Sequence, residues 1–231
     1  MSPDAVRVGK RPSPLAAGVA VLVAAAVVAA LAPPGDGHVG LGVELLGVAV
    51  LAGGYALVRR GWRATGALVV LVGLVVALGG LAVVAGRGGP SRTLELLPGA
   101  VGMAVLALGL IPYRGNGSRG ALKVGAGLLF VGVLAAGLFR DVTLRTLLLS
   151  GVGTVVAWDA GDHAIGVGEQ LGRRATTRRS EAVHVGGSLL VGAVAVTAGE
   201  FVADLGSPAG SLTSLSLLLV AVVCLTAALH G

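Results

Sequence analysis

The 231-residue chain is 55% hydrophobic and only 12% charged, with a mean hydropathy of +0.93. A soluble domain of this length has no core large enough to hide so much apolar surface. Its seventeen Lys and Arg outnumber eleven Asp and Glu, but they fall in short stretches between apolar runs, not in a basic extramembrane domain of the kind that holds nucleic acid, so no nucleic-acid partner is expected.

The apolar runs are each close to the roughly 20 residues a helix needs to cross the ~30 Å hydrocarbon layer. In chain order they predict helices over Leu15–Ala32, Val39–Val58, Ala64–Ala85, Leu94–Ile111, Ala121–Phe139, Thr143–Trp158, Val183–Ala203 and Leu212–Leu229. Backbone polar groups in lipid must be satisfied within the span, so each run reads as a helix. The predicted fold is all-α, a polytopic transmembrane helix bundle of about eight spans, with residues 1–231 forming one integral membrane domain. The basic start, the first apolar run and Ala30-Leu31-Ala32 also fit a cleavable signal peptide. The length of the run and the Pro33-Pro34 turn favour a retained helix; cleavage would leave seven spans in the same orientation. Cys224 is alone, which leaves no partner for an intramolecular disulfide.

Orientation follows from the cations. The amino terminus, the turns after the second, fourth and sixth runs, and Lys123 carry 13 of the 17 Lys and Arg; Arg87, Arg92, Arg140 and Arg145 lie on the other side. The expected arrangement is a multi-pass cell-membrane protein with both termini cytoplasmic. Basic loop residues also suit anionic headgroups, so the bilayer itself is a predicted partner. Small-xxx-small spacings at Gly132/Ala136, Gly73/Ala77 and Ala16/Ala20/Ala24 permit close helix approach, but recur so often in a chain with forty Gly that no single dimer face stands out. Spans three and five both begin Gly-Ala-Leu, at Gly66 and Gly120, a match compatible with duplication or with chance.

Two polar clusters stand apart. On a helix continued past Trp158, residues Asp159, Asp162, His163, Gln170, Arg173 and Thr177 share one arc, with Glu169 at its edge; Ala160, Ala164, Ile165 and Leu171 fall largely outside it. Residues 159–182 are therefore expected to form a cytoplasmic amphipathic helical hairpin, with Ser180 as N-cap of the next helix and Glu181 in its first turn. Asp159, Asp162, His163, Glu169, Gln170, Arg173 and Arg174 are the candidate partner-docking residues. The same stretch also reads as a plain solvated face, with Asp159/His163 and Glu169/Arg173 as i,i+4 pairs worth ~0.3–0.5 kcal/mol each. In a sharper reading, Asp159, Asp162, His163 and Glu169 face Glu181 and His184 across the hairpin as a metal or acid–base site; Glu181 and His184 have the i,i+3 spacing used in di-metal bundles.

The second cluster lies at the predicted outer ends of spans: Glu44, Glu95 and Glu200, with Arg145 at the same level. Ion pairing, of Glu44 or Glu200 with Arg145, would staple helix ends; the alternative is an outward-facing vestibule for an ion or solute. No charge is expected near a span midplane, where coupled carriers place their sites. HExxH, GxSxG, Walker and CxxC motifs are absent, so neither cofactors nor catalytic residues are expected.

The run Ala157-Trp158-Asp159-Ala160-Gly161-Asp162-His163-Ala164-Ile165-Gly166-Val167-Gly168-Glu169-Gln170-Leu171-Gly172-Arg173-Arg174 and the later Glu181-Ala182-Val183-His184-Val185-Gly186-Gly187-Ser188-Leu189 resemble an uncharacterised multi-pass membrane protein family of halophilic archaea. The resemblance covers about 35 residues. It implies kinship with accessory membrane proteins encoded near MoxR-type ATPases and von Willebrand factor A-type proteins, and a part in assembly or envelope biogenesis, with no catalytic residues to transfer. The leading expectation is a non-enzymatic membrane subunit or scaffold whose segment after span six docks a cytoplasmic partner. A transporter or channel-like protein using the outer carboxylates is the alternative, and a metal-dependent membrane enzyme a third class.

Overall fold

The computed structural model describes residues 11–32, 36–86, 89–112, 117–171 and 178–204. These form seven helices: α1 (Pro14–Leu31), α2 (Asp36–Arg59), α3 (Arg63–Gly86), α4 (Gly89–Leu110), α5 (Arg119–Phe139), α6 (Leu144–Leu171) and α7 (Arg178–Asp204). Each contains one of the first seven predicted runs, to within a residue or two at most ends. The predicted eighth run, the signal-peptide question at the chain start and Cys224 lie outside the described residues.

Among the described residues five helices, α1, α2, α3, α5 and α7, are long and apolar enough to cross a membrane, where seven of the eight expected spans fall. The shortfall among the described residues has two causes. In α4, Arg92, Glu95 and Pro98 occupy the first turns and leave a shorter apolar stretch, Leu96–Leu110. In α6 the helix runs unbroken through Asp159, Asp162, His163 and Glu169 to Leu171, so the predicted continuation beyond Trp158 holds while the helix as a whole is less apolar. The start of α7 at Arg178 places Ser180 inside the first turn, not at the N-cap; Glu181 is in that turn as expected.

The tightest packing lies within two antiparallel hairpins, α2–α3 and α4–α5. Gly40, Gly47 and Gly54 recur every seven residues along α2, and Gly66, Gly73 and Gly80 do so along α3. A seven-residue repeat keeps one stripe facing the partner helix. A Cβ at Gly54 would lie 2.6 Å from the Val70 backbone nitrogen, and one at Gly73 would lie 2.7 Å from the Leu51 Cα. The backbones are thus in contact with no room for a methyl group, as small residues at membrane helix interfaces allow. Gly102 meets Gly125 and Leu129 across α4–α5 in the same manner. The Gly-Ala-Leu match is out of register with these contacts: a Cβ at Gly66 would collide with Val58, whereas one at Gly120 would meet only Ser118 Oγ, at 3.9 Å.

Turns are set by local chemistry. The α2–α3 turn is a Schellman motif, with Trp62 N–H donating to Leu57 O (3.2 Å) and Gly61 N–H to Val58 O (3.1 Å). Gly61 sits at φ +97°, where a side chain would be strained. Pro14 starts α1, and Ser118 caps α5 by accepting from Ala121 N–H (3.2 Å). Tyr55 O–H donates to Pro112 O and ties α2 to the end of α4, while Arg140 donates to Leu31 O at the end of α1.

The core joins α1, α4, α5 and α6 through fully enclosed Ala16, Ala20 and Ala24, Met103 and Leu106, Leu122 and Leu129, and Ala157, Ala164 and Ile165. The small-residue spacings noted in the sequence are therefore spent within the chain. On the periphery, α3 exposes Leu68, Leu71 and Val75, and α7 exposes Val183, Leu190, Val191 and Phe201. Such continuous apolar faces suit lipid, not water.

Candidate functional site

The polar end of α6 is gripped from three directions. Its predicted arc lies over the groove between α5 and α7, and its two edges are used differently. Toward α5, Arg119 reaches Asp162 (Nε to Oδ1, 3.2 Å) and Glu169 (Nη2 to Oε2, 3.0 Å). All three side chains are roughly half exposed, so each pair contributes at most about 1 kcal/mol in water. The two pairs align carboxylates two turns apart on one guanidinium, which fixes the helix end more than it stabilises it.

Toward α7, Asp159 Oδ2 accepts from Ser188 Oγ (2.5 Å) and lies 3.0 Å from His184 Nε2. That second approach is off the ring N–H axis, so it is an electrostatic contact and not a formed hydrogen bond. The His184 ring stacks on that of His163 with centroids 3.9 Å apart and planes 11° from parallel. His163 lies past Trp158, and its pKa is lowered by burial first and by His184 second, with Glu181, Asp159 and Asp162 opposing.

The third grip comes from the segment before α1. Ser13 N–H donates to Ala164 O (2.9 Å), and Ser13 Oγ donates to the buried Glu181 carboxylate on α7. Residues 11 and 12 cross α6 at Gly168, where a Cβ would lie 3.0 Å from Pro12 N. One short segment thereby bridges α6 and α7.

Of the predicted docking residues, Asp159 and His163 are drawn toward α7, Asp162 and Glu169 toward Arg119, and Gln170 is exposed. Arg173 and Arg174 lie outside the described residues. Glu169 meets Arg119 here; its expected i,i+4 partner Arg173 is not among the described residues. The structure brings His184 against Asp159 and His163, with Glu181 near His163, whereas Asp162 and Glu169 turn to Arg119 instead of facing them across the hairpin. Among the described residues, however, no three His, Cys, Asp or Glu side chains converge as a metal-ligand set. Ser13 and Arg119 were missed, the first because nothing local marks a residue before α1 as a partner for α7, the second because it read only as a topological cation.

At the opposite end, Arg145 Nε pairs with Glu200 Oε1 at 3.3 Å, one of the two pairings expected. Glu44 is elsewhere. It is fully enclosed, two turns into α2, on the stripe with Leu41, Val48 and Leu51. Neither of its carboxyl oxygens has a hydrogen-bond partner among the described residues. Val48, one turn on, packs with Ala77, Ala107 and Val21, so this stripe faces α1, α3 and α4. The expected staple of Glu44 to Arg145 is therefore not formed. Glu95 lies on α4, and its side chain is outside the described residues.

These features define an all-helical protein with, among the described residues, five helices long and apolar enough to cross a bilayer, closed at one end by a polar cluster built from α5, α6, α7 and the segment before α1. The chain belongs to a family of unknown function, DUF7519, whose match spans residues 72–226 and so includes the whole of α4 to α7. No curated protein and no solved structure matches the chain.

Proposed function

We propose that the protein is a multi-pass cell-membrane protein with both termini cytoplasmic, acting as a non-enzymatic membrane subunit or scaffold that docks a cytoplasmic protein partner on the polar end of α6. The observation that carries this reading is the length and anchorage of α6. Its 28 residues rise about 42 Å against a ~30 Å hydrocarbon layer. An α6 that crosses the layer would carry its last third to and beyond the membrane boundary, and that part is held by Arg119, by α7 and by Ser13. A helix end fixed on three sides is a preorganised surface, and preorganisation lowers the ordering cost of binding. Exposed Gln170 lies on this end beside half-exposed Asp162 and Glu169, which Arg119 already holds in place.

The 13-to-4 distribution of cations supports the inward placement of this end. The resemblance of the 157–174 and 181–189 segments to a family of halophilic archaea, set beside accessory proteins encoded near MoxR-type ATPases, supports an assembly role. In affinity recovery of tagged protein from native membranes in mild detergent, wild type is expected to retain a stoichiometric cytoplasmic protein that Asp162→Arg loses, with helical content unchanged. Equal recovery with both proteins would contradict the docking reading.

A second reading, passage of an ion or solute, rests among the described side chains on Glu44, because Glu200 is already paired to Arg145. Intramembrane carboxyls without partners are costly and commonly functional.

A further inference from the structure

We propose that the α2–α3 turn is a docking site for the headgroup of an anionic phospholipid. The two flanking spans end at Arg59 and begin at Arg63, so the turn lies where the hydrocarbon stops. Within it Arg59, Arg60 and Arg63 are all exposed. None of the three has an acidic partner among the described residues, whereas Arg119 and Arg145 are each ion-paired. Three guanidiniums within five residues, at headgroup depth and without counter-charge, match a phosphodiester, whose oxygens take the guanidinium fork in pairs.

The turn is rigid before any lipid arrives. The Schellman bonds of Gly61 and Trp62 fix its backbone, and Gly66 N–H to Trp62 O (2.8 Å) starts the next helix. The Arg59 guanidinium lies 6.0 Å over the Tyr55 ring, and Tyr55 is itself anchored to Pro112. Trp62 is 65% exposed beside the arginines. An exposed indole is out of place in water but at home in the headgroup layer, where its ring meets acyl chains and its N–H meets phosphate or ester oxygens. Charge, depth and the exposed aromatic ring point to the same occupant, a lipid and not a soluble anion.

The test is native mass spectrometry of the full-length protein titrated with phosphatidylglycerol, with phosphatidylcholine as the zwitterionic comparison. Wild type is expected to retain phosphatidylglycerol in preference to phosphatidylcholine. Arg60→Gln combined with Arg63→Gln is expected to bind it roughly thirtyfold more weakly, from the loss of two surface cations. Arg60→Lys, which keeps the charge but loses the fork, should bind more tightly than the double variant and less tightly than wild type, and Arg145→Gln, at the other end of the bundle, should keep all of the affinity. Unfolding of the double variant in phosphatidylcholine nanodiscs should match wild type, since both side chains are exposed. Equal phosphatidylglycerol retention by wild type and the double variant would overturn the proposal. So would equal binding of phosphatidylcholine, and so would displacement of the lipid by glycerol phosphate at the same concentration, which would make the site one for a free phosphate ester.

Discussion

Gly47→Ala is expected to destabilise the bundle by at least 1–3 kcal/mol, the usual cost of overpacking, while Gly53→Ala, six residues along the same helix, should be neutral or stabilising by about 0.5–1 kcal/mol. The added methyl at Gly47 would sit against the Ala77 backbone nitrogen and 2.6 Å from the Ala77 Cα. Backbone cannot rotate aside as a side chain can, so α2 and α3 must separate along their whole seam. At Gly53 a Cβ meets nothing within 4 Å, and Ala simply improves helix propensity. The pair is informative because composition, helix and chemistry of the change are the same; only the facing surface differs. Gly80→Ala, whose Cβ would lie 2.8 Å from the Glu44 Cα, should behave as Gly47→Ala, and Gly79→Ala as Gly53→Ala. Detergent-denaturant titration followed by circular dichroism measures all four. Equal stabilities for the two sets would mean that the glycine repeat does not set the α2–α3 interface.

Glu44→Leu is expected to stabilise the protein, by about 1–3 kcal/mol, the desolvation penalty of a buried polar group left without a partner. Leucine fills a similar volume, and the neighbouring stripe positions are already Leu41, Val48 and Leu51. Glu44→Gln should gain less, because its amide also lacks partners. The same titration reads the change, and vesicle flux assays on the same variants read any cost in function. A carboxyl kept in this place at the expense of stability points to use of the group, so loss of flux in a more stable Glu44→Leu protein would favour ion or solute passage. A less stable Glu44→Leu protein would show that the carboxyl has a partner whose loss outweighs the relief of burial.

The helices themselves were readable from the apolar runs, because burial in lipid requires continuous apolarity and leaves little room for alternatives. The continuation of α6 beyond Trp158 was readable too, since Asp159, Asp162, His163 and Gln170 keep helical spacing. What the arc touches was not. The same spacing fits a solvated face and a face shared between Arg119 and His184; the choice depends on which helices flank it. The glycine repeats are present in the sequence at seven-residue intervals, yet forty glycines supply so many small-residue spacings that Gly73/Ala77 looked no different from background. Glu44 and Glu200 seemed equivalent partners for Arg145 because both lie near predicted span ends. Their helical faces separate them: Glu200 lies at an exposed edge beside α6, whereas Glu44 points into the α1–α3–α4 seam. Among the described residues the full span count is not confirmed where polar residues share a helix with an apolar stretch, as Glu95 and Pro98 do in α4.

The most direct test of the account is the side of the membrane on which the end of α6 lies. In a Cys224→Ser background, Gln170→Cys should react with a membrane-impermeant maleimide only in inverted vesicles, and Arg145→Cys only in intact cells. Val75→Cys, exposed near the middle of α3, should react in neither, because lipid covers it. Labelling of Gln170→Cys from outside the cell, or ready labelling of Val75→Cys, would contradict a membrane-spanning bundle that presents α6 to a cytoplasmic partner.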